Sequence, residues 1–203
     1  MNTNIKLVDH LINSGALYSN NIIEAFRNID RIDFVPDSLY FDIYGDYPLQ
    51  IGYGQTISQP TTVAMMLEML EPKGGQDILD IGSGSGWTTA LLSYIVKNNG
   101  YVIGLERIKE LVEFGTKNLN KYHFTNAKII QADKSLGIPN KKFDRILVSA
   151  AADTFPYELL EQLNNGGKLV VPVVNSIFEV FKSYDGEIEY TEHHGFMFVP
   201  LIK

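Results

Sequence analysis

The sequence predicts an α/β fold built on a doubly wound, mostly parallel sheet, and three observations predict it. Compact apolar runs alternate with helical segments from Asp77 onward. Those runs are hydrophobic almost without interruption, as strands buried on both faces must be. A stretch of alternating glycines, GSGSG, falls between the first run and its helix, where a doubly wound sheet opens its ligand crevice.

Each element follows in order. Between residues 4 and 29, Ile5, Val8, Leu11 and Ile12, then Ile22, Ile23 and Phe26, fall at helical spacing in two segments broken at SGALYSNN, which predicts two short helices capping the main fold. The nearly uncharged loop DYPLQIGYGQTISQP spans residues 46–60. Pro60 suits the first position of a helix running through TTVAMMLEML to Pro72, with Ser58 or Gln59 near its N-cap. Strand DILDIG, helix WTTALLSYIVKNN, strand YVIGLE and helix IKELVEFGTKNLNKY come next, followed by strands AKIIQAD and FDRILVSAA, helix PYELLEQL and strand KLVVPVV. FEVFKSY and EIEYTEHH flank Asp185 and Gly186, a strong hairpin signal, and GFMFVPLI reads as one more strand, so the sheet is expected to end in an antiparallel section. The chain divides into residues 1–60, the N-terminal helices and a covering loop, and residues 61–203, the core, within one compact domain.

Composition narrows the function classes. At 203 residues and 45% hydrophobic the chain can bury one substantial core. It has no cysteine, which removes disulfides, thiolate metal sites and a cysteine nucleophile and suits a reducing compartment. A net charge of −7 argues against a broad nucleic-acid or anionic-lipid footprint. Asp9 and His10 interrupt the apolar part of the N-terminus and no run of about 18 apolar residues occurs, so the expectation is a cytoplasmic protein with no membrane partner.

The glycines at 82, 84 and 86 let a ligand approach both the backbone and a helix N-terminus. A dinucleotide fingerprint would place its third glycine at 87, where Trp87 stands. Glu106 ends the next strand, where a carboxylate can accept hydrogen bonds from two ribose hydroxyls, and Asp133 after the following strand suits an adenine amino group. With Asp80, Ile81 and Gly82 at the first strand end, three consecutive strand ends form an acidic rim suited to an adenosine bearing a positive charge.

On these residues the chain resembles the protein-L-isoaspartate O-methyltransferase family within the class I S-adenosylmethionine-dependent methyltransferases. The carrying stretches are RIDFVP (31–36), YGDYPLQIGYGQTISQP (44–60), LDIGSGSGW (79–87), FDRILVSAAA (143–152), LLEQLNNGGKLVVPV (159–173) and FVPL (198–201), in family order across most of the chain. GQTISQP is the specific one. The resemblance implies a Rossmann-like sheet of seven strands and S-adenosylmethionine as cofactor. It implies transfer of the sulfonium methyl group to the α-carboxylate of L-isoaspartyl residues in damaged proteins and peptides. The resulting ester lets the next backbone nitrogen close a succinimide that hydrolyses partly to normal aspartate.

In the family the GQTISQP loop lies over cofactor and substrate carboxylate, which implies cofactor contacts from Gln55, Thr56 and Ile57 and a catalytic role for Ser58; read alone, Ser58 suits a helix N-cap. Ser83, Gly84, Ser85 and Gly86 in the glycine loop, with Arg107 and Lys134 after the two acids, complete the expected cofactor set. No metal is expected, and the working form is expected to be a monomer. His10, His123, His193 and His194 lie outside every carrying stretch, as suits chemistry on a carboxylate already ionised at neutral pH. FMFVPL reads as core strand before it reads as a wall of the substrate site. Tyr53 stands where the family commonly has His, Trp87 where Tyr is usual, and Ala132 and Lys134 where glycines are usual; the shorter NSIFEVF offers no Gln for a further cofactor contact. A relative acting on another carboxylate acceptor, or a silent cofactor-binding module, remains the alternative reading.

Overall fold

Strand alternation sets the layers. Ile78, Val102, Leu147 and Val170 belong to one buried cluster, while Leu79, Ile103, Ile146 and Leu169, each one residue away, belong to a second on the opposite face. The computed structural model describes residues 1–39 and 43–202. Helices α1 (Asn4–Asn13) and α2 (Asn20–Asn28) come first, then a small antiparallel ribbon, β1 (Leu49–Gly52) and β2 (Gln55–Ile57), and helix α3 (Pro60–Leu70). The core follows as β3 (Asp77–Ile81), α4 (Trp87–Val96), β4 (Tyr101–Glu106), α5 (Lys109–Asn120), β5 (Ala127–Gln131) and β6 (Phe143–Val148), then β7 (Leu163–Val173), β8 (Ser176–Lys182) and β9 (Ile188–His194).

The seven-stranded sheet has the order β5-β4-β3-β6-β7-β8-β9, parallel through β7 and antiparallel after it. The expected hairpin at Asp185 and Gly186 is the β8–β9 connection. From β3 the chain winds outward through β4 to β5, then returns to β6 beside β3 and leaves the other way. That reversal places a crevice at the carboxyl ends of β3 and β6.

Three local expectations change. The PYELLEQL helix shrinks to a 3₁₀ turn at Tyr157–Leu159, because β7 begins at Leu163, which pairs with Phe143, and leaves no length for a stable helix. The buried faces of α1 to α5 all join the first cluster, so this turn and the loops carrying Leu136, Ile138 and Phe155 cover the second face instead of a helix. GFMFVPLI is not a strand. Gly195 turns the chain with φ +95°, and the tail crosses to Ala151, where among the described residues two bonds join them, Ala151 N–H to Val199 O (2.8 Å) and Leu201 N–H to Ala151 O (2.7 Å).

The third change is a cap. Gln59 occupies the N-cap of α3 and Pro60 its first turn as expected, but neither Ser58 nor Gln59 caps the helix with its side chain. Asp46 does so from the preceding loop, accepting from the Thr61 N–H (2.9 Å), the Thr61 hydroxyl (2.7 Å) and Gln59 Nε2 (3.2 Å). Burial alone would push the Asp46 carboxyl up, but these hydrogen bonds outweigh it and hold its pKa below the ordinary value.

Glu68 does for α2 what Asp46 does for α3. Buried on α3, it accepts from the N–H groups of Tyr18 and Ser19 (2.8 Å each) and from the Ser19 hydroxyl, joining the N-terminal helices to the core through the start of α2. Replacing it removes the acceptor of three part-buried donors, so Glu68→Ala should lower unfolding free energy by about 2–3 kcal/mol in urea titration; an unchanged midpoint would show that water replaces the carboxylate there.

Candidate active site

The loop after β3 takes its shape from glycines and from β4. Gly84 has φ +52° and Gly86 φ +88°, left-handed values that other residues adopt at a cost. A Cβ on Gly86 would also stand 3.0 Å from the Gly115 carbonyl of α5, so the third glycine serves close helix packing as well as the turn. The N–H groups of Gly82 and Ser83 donate to the Leu105 carbonyl at 2.8 and 3.0 Å, and Gly84 N–H donates to Glu106 Oε2 at 3.0 Å. The loop therefore lies flat against the end of β4.

Glu106 is buried at this junction, and its other oxygen accepts from the Ile108 N–H at 2.9 Å. Each carboxylate oxygen has two acceptor sites, so one on each remains for a ligand hydroxyl. Asp133 is exposed at the opposite lip, with Oδ1 engaged by the Ser135 N–H at 2.6 Å. Leu105, Ile108, Ala132 and Leu136 supply apolar walls between the two acids.

The β1–β2 ribbon closes the cleft from above. Ile51 Cδ1 approaches to 3.3 Å of where a Cβ on Gly84 would be. Gln55, Thr56, Ile57 and Ser58 line the same cleft as Ile81, Gly82, Ser83, Gly84, Ser85, Glu106, Arg107 and Asp133, so most of the residues expected from the sequence converge. These walls bound one continuous cleft that opens to solvent at its mouth. Two carboxylates, a glycine floor and apolar sides suit the S-adenosylmethionine expected from the sequence, whose adenosine needs acceptors and whose charge is positive.

Three expected residues do not line the cleft. Gly86 backs onto α5. Lys134 faces a separate depression with Pro139, Lys142 and Glu161, one side chain further round the loop than the acid before it. Asp80 is completely buried under the loop, with Oδ2 accepting from the hydroxyls of Thr88 (2.7 Å) and Thr89 (2.6 Å). Its Oδ1, the Ser83 hydroxyl and the Trp87 indole N–H have no partner among the described residues. Asp80 thus fastens the loop to the start of α4 from below.

Other lining residues lay outside the expected set. Ser149 and Ala150 follow β6 at the point where the sheet reverses, with the Ser149 N–H donating to the Ile81 carbonyl at 2.8 Å. The tail contributes Val199, Pro200, Leu201 and Ile202, and its irregular backbone is what lets it serve as a wall. The signal for both was FDRILVSAAA and FVPL, which pattern alone reads as core strand.

Ser58 is half-buried on the ribbon side of the cleft. Its carbonyl accepts from Arg31 Nη1 at 2.8 Å, while its hydroxyl has no partner among the described residues. Because Asp46 has taken over the cap of α3, that hydroxyl is left to the cleft.

Known proteins share the sequence and fold of this chain. The family model described as Protein-L-isoaspartate(D-aspartate) O-methyltransferase (PCMT) matches residues 2–203. A Protein-L-isoaspartate O-methyltransferase of Methanopyrus kandleri is 43% identical over 203 residues, covering 97% of this chain and 90% of the relative. One of Pyrococcus abyssi is also 43% identical, over 97% of this chain and 93% of the relative. Among solved structures, one described as a putative protein-L-isoaspartate O-methyltransferase from Plasmodium falciparum in complex with S-adenosyl-L-homocysteine superposes with TM-score 0.87 at 28% identity, covering 100% of this chain and 99% of that one.

Burial raises the Asp80 pKa to about 6, with the Thr89 and Thr88 hydrogen bonds opposing the shift and Glu106 adding to it. An unfolded Asp titrates near 3.9, so between about pH 4 and 6 the native state holds a proton that the unfolded chain has released, and this contribution to stability is lost as pH rises through that window. The unfolding free energy of the ligand-free protein minus that of Asp80→Asn should therefore decrease from about pH 4 to about pH 6 and stay level above it; a difference that grows with pH would contradict the buried carboxyl.

Proposed function

The chain belongs to the protein-L-isoaspartate(D-aspartate) O-methyltransferase family, and on that premise we propose that it transfers a methyl group from S-adenosylmethionine to the α-carboxylate of L-isoaspartyl residues in proteins and peptides. The observation that carries this reading is the convergence of the GQTIS ribbon, the glycine loop and Glu106 on one cleft. When bound, S-adenosylmethionine supplies an electrophilic methyl carbon on a sulfonium.

The residues of the chain have separate tasks. Glu106 holds the ribose hydroxyls through its two remaining acceptor sites, and Asp133 accepts from the adenine amino group through the oxygen not used by Ser135. Residues 82–85 and 55–57 enclose the remainder of the cofactor from below and above. The Ser58 hydroxyl donates to one oxygen of the substrate carboxylate and so fixes the direction of the other. No base is required, because a carboxyl with a pKa near 4 is ionised at neutral pH, and no histidine is among the residues lining the cleft. Orientation and the exclusion of water carry the rate enhancement.

The proposal extends to the setting. The working form is a monomer in the cytoplasm with no nucleic-acid partner, supported by a cleft complete within one chain, the absence of cysteine and the net charge of −7. Among the described residues no helix is long and apolar enough to cross a membrane.

Three outcomes test this. Methyl incorporation should occur with a synthetic peptide containing L-isoAsp and not with its twin containing L-Asp, and Ser58→Ala should depress turnover on the first peptide about 10- to 100-fold while S-adenosylhomocysteine affinity stays within about threefold; equal labelling of the twins would move the reading to another carboxylate acceptor. Glu106→Ala should weaken S-adenosylhomocysteine binding by roughly 10- to 100-fold in calorimetry, the loss of hydrogen bonds to a charged acceptor. Unchanged affinity would take Glu106 out of the cofactor site.

A further inference from the structure

Arg31 opens RIDFVP, a stretch that the reaction above leaves without a task. Its side chain is fully buried, yet among the described residues it makes no ion pair. The guanidinium donates instead to three backbone carbonyls, from Nε to Ile43 (3.0 Å), from Nη1 to Ser58 (2.8 Å) and from Nη2 to Tyr47 (3.3 Å). Its Cζ lies over the Trp87 ring, 4.7 Å from the centroid, and that ring lines the cleft and meets Phe26 edge to face at 5.5 Å. The backbone around it is itself held to the core: Asp33 binds Tyr122 (2.7 Å) and Lys121 (3.5 Å) just beyond α5, and the Asp30 N–H donates to Tyr122 at 2.9 Å.

A buried charge whose hydrogen bonds go to backbone carbonyls is an expensive way to fill space, since apolar groups of similar volume commonly serve a core as well or better. What the guanidinium offers that they do not is a rigid plane with a donor fork along its edge and a stacking surface on its face. Here the edge grips the Ser58 carbonyl and the face rests on Trp87. One side chain therefore sets the separation between the loop assigned to the substrate carboxylate and the wall of the cofactor cleft.

We propose that Arg31 is a positioning residue for methyl transfer, acting through Ser58 by fixing its backbone relative to Trp87; this rests on the role given to Ser58 above. Lysine would keep the charge but has neither fork nor face, so it separates geometry from electrostatics.

The test uses Arg31→Lys, Ser58→Ala and the double variant, with thermal melting, S-adenosylhomocysteine affinity by calorimetry and kcat/KM on the isoAsp peptide. Arg31→Lys should melt cooperatively and bind S-adenosylhomocysteine within about threefold of the parent, while kcat/KM falls at least about tenfold, because a misplaced orienting group costs rate before it costs cofactor binding. The double variant should be within about twofold of Ser58→Ala alone, since once the Ser58 hydroxyl is gone its misplacement costs nothing further. A merely structural arginine would leave kcat/KM of the folded protein unchanged, or its loss would multiply with that of Ser58→Ala; either result overturns the proposal. If Ser58→Ala is itself fully active, the reading of Ser58 falls and takes this one with it, whereas an impaired Ser58→Ala beside a normal Arg31→Lys sinks only the present inference. Should Arg31→Lys not melt cooperatively, Arg31→Gln takes its place in the same cycle, and failure of both to fold would mark the residue as architectural and overturn the proposal.

Discussion

Strands β3 and β6 lie side by side in parallel, yet the connections that follow them leave in opposite directions, and the gap this forces at their carboxyl ends is the constraint on which the rest of the structure depends. The loop after β3 lies against β4 with Gly82 and Gly84 on the cleft, and Ser149 closes its inner end on Ile81. Everything else at the site is brought to this opening from a distance in sequence. The ribbon β1–β2 comes from before the sheet begins, and the tail of the chain comes back after it has ended.

Bringing remote segments to one crevice requires anchors, and the anchors are polar. Glu68 ties the start of α2 to α3, Asp46 ties the loop before β1 to the start of α3, and Arg31 ties three carbonyls of the covering segment to the cleft wall. Each makes at least one hydrogen bond to a backbone group. Such bonds specify direction as well as attraction, so they fix where a loop stands and not merely that it packs. Apolar packing from the N-terminal helices supplies the bulk of the attachment, through Leu7, Leu11, Ile22 and Phe26, but it is indifferent to shifts of a fraction of an ångström that would misplace a hydroxyl.

The electrostatics of the cleft follow the same division. Glu106 and Asp133 stand at the lips, where their acceptor sites remain open, while Asp80 is sealed beneath the glycine loop and is pushed toward neutrality by its burial. A motif written as one run, LDIGSGSGW, thus separates into an acid that supports and glycines that receive. Trp87, placed where a dinucleotide fingerprint would have glycine, belongs to both layers, one side on the cleft and the other against Arg31.

The sequence by itself determined the parallel core, because near-continuous apolar runs separated by helical periods have few other ways to bury both faces, and it determined the adenosyl-binding loop, because glycines and a strand-end acid at those positions have a local geometric meaning. It did not determine which of the expected residues meet. Pattern does not distinguish FVPL as strand from FVPL as wall, Ser58 as cap from Ser58 as cleft residue, or Asp80 as ligand from Asp80 as support, since each pair has the same periodicity and chemistry. Those alternatives were decided only when distant segments competed for the same hydrogen bonds: Asp46 took the cap and left the Ser58 hydroxyl to the cleft, Thr88 and Thr89 took one oxygen of Asp80, and the edge beyond Val148 took the tail. Such competition depends on through-space proximity, which no window along the chain contains.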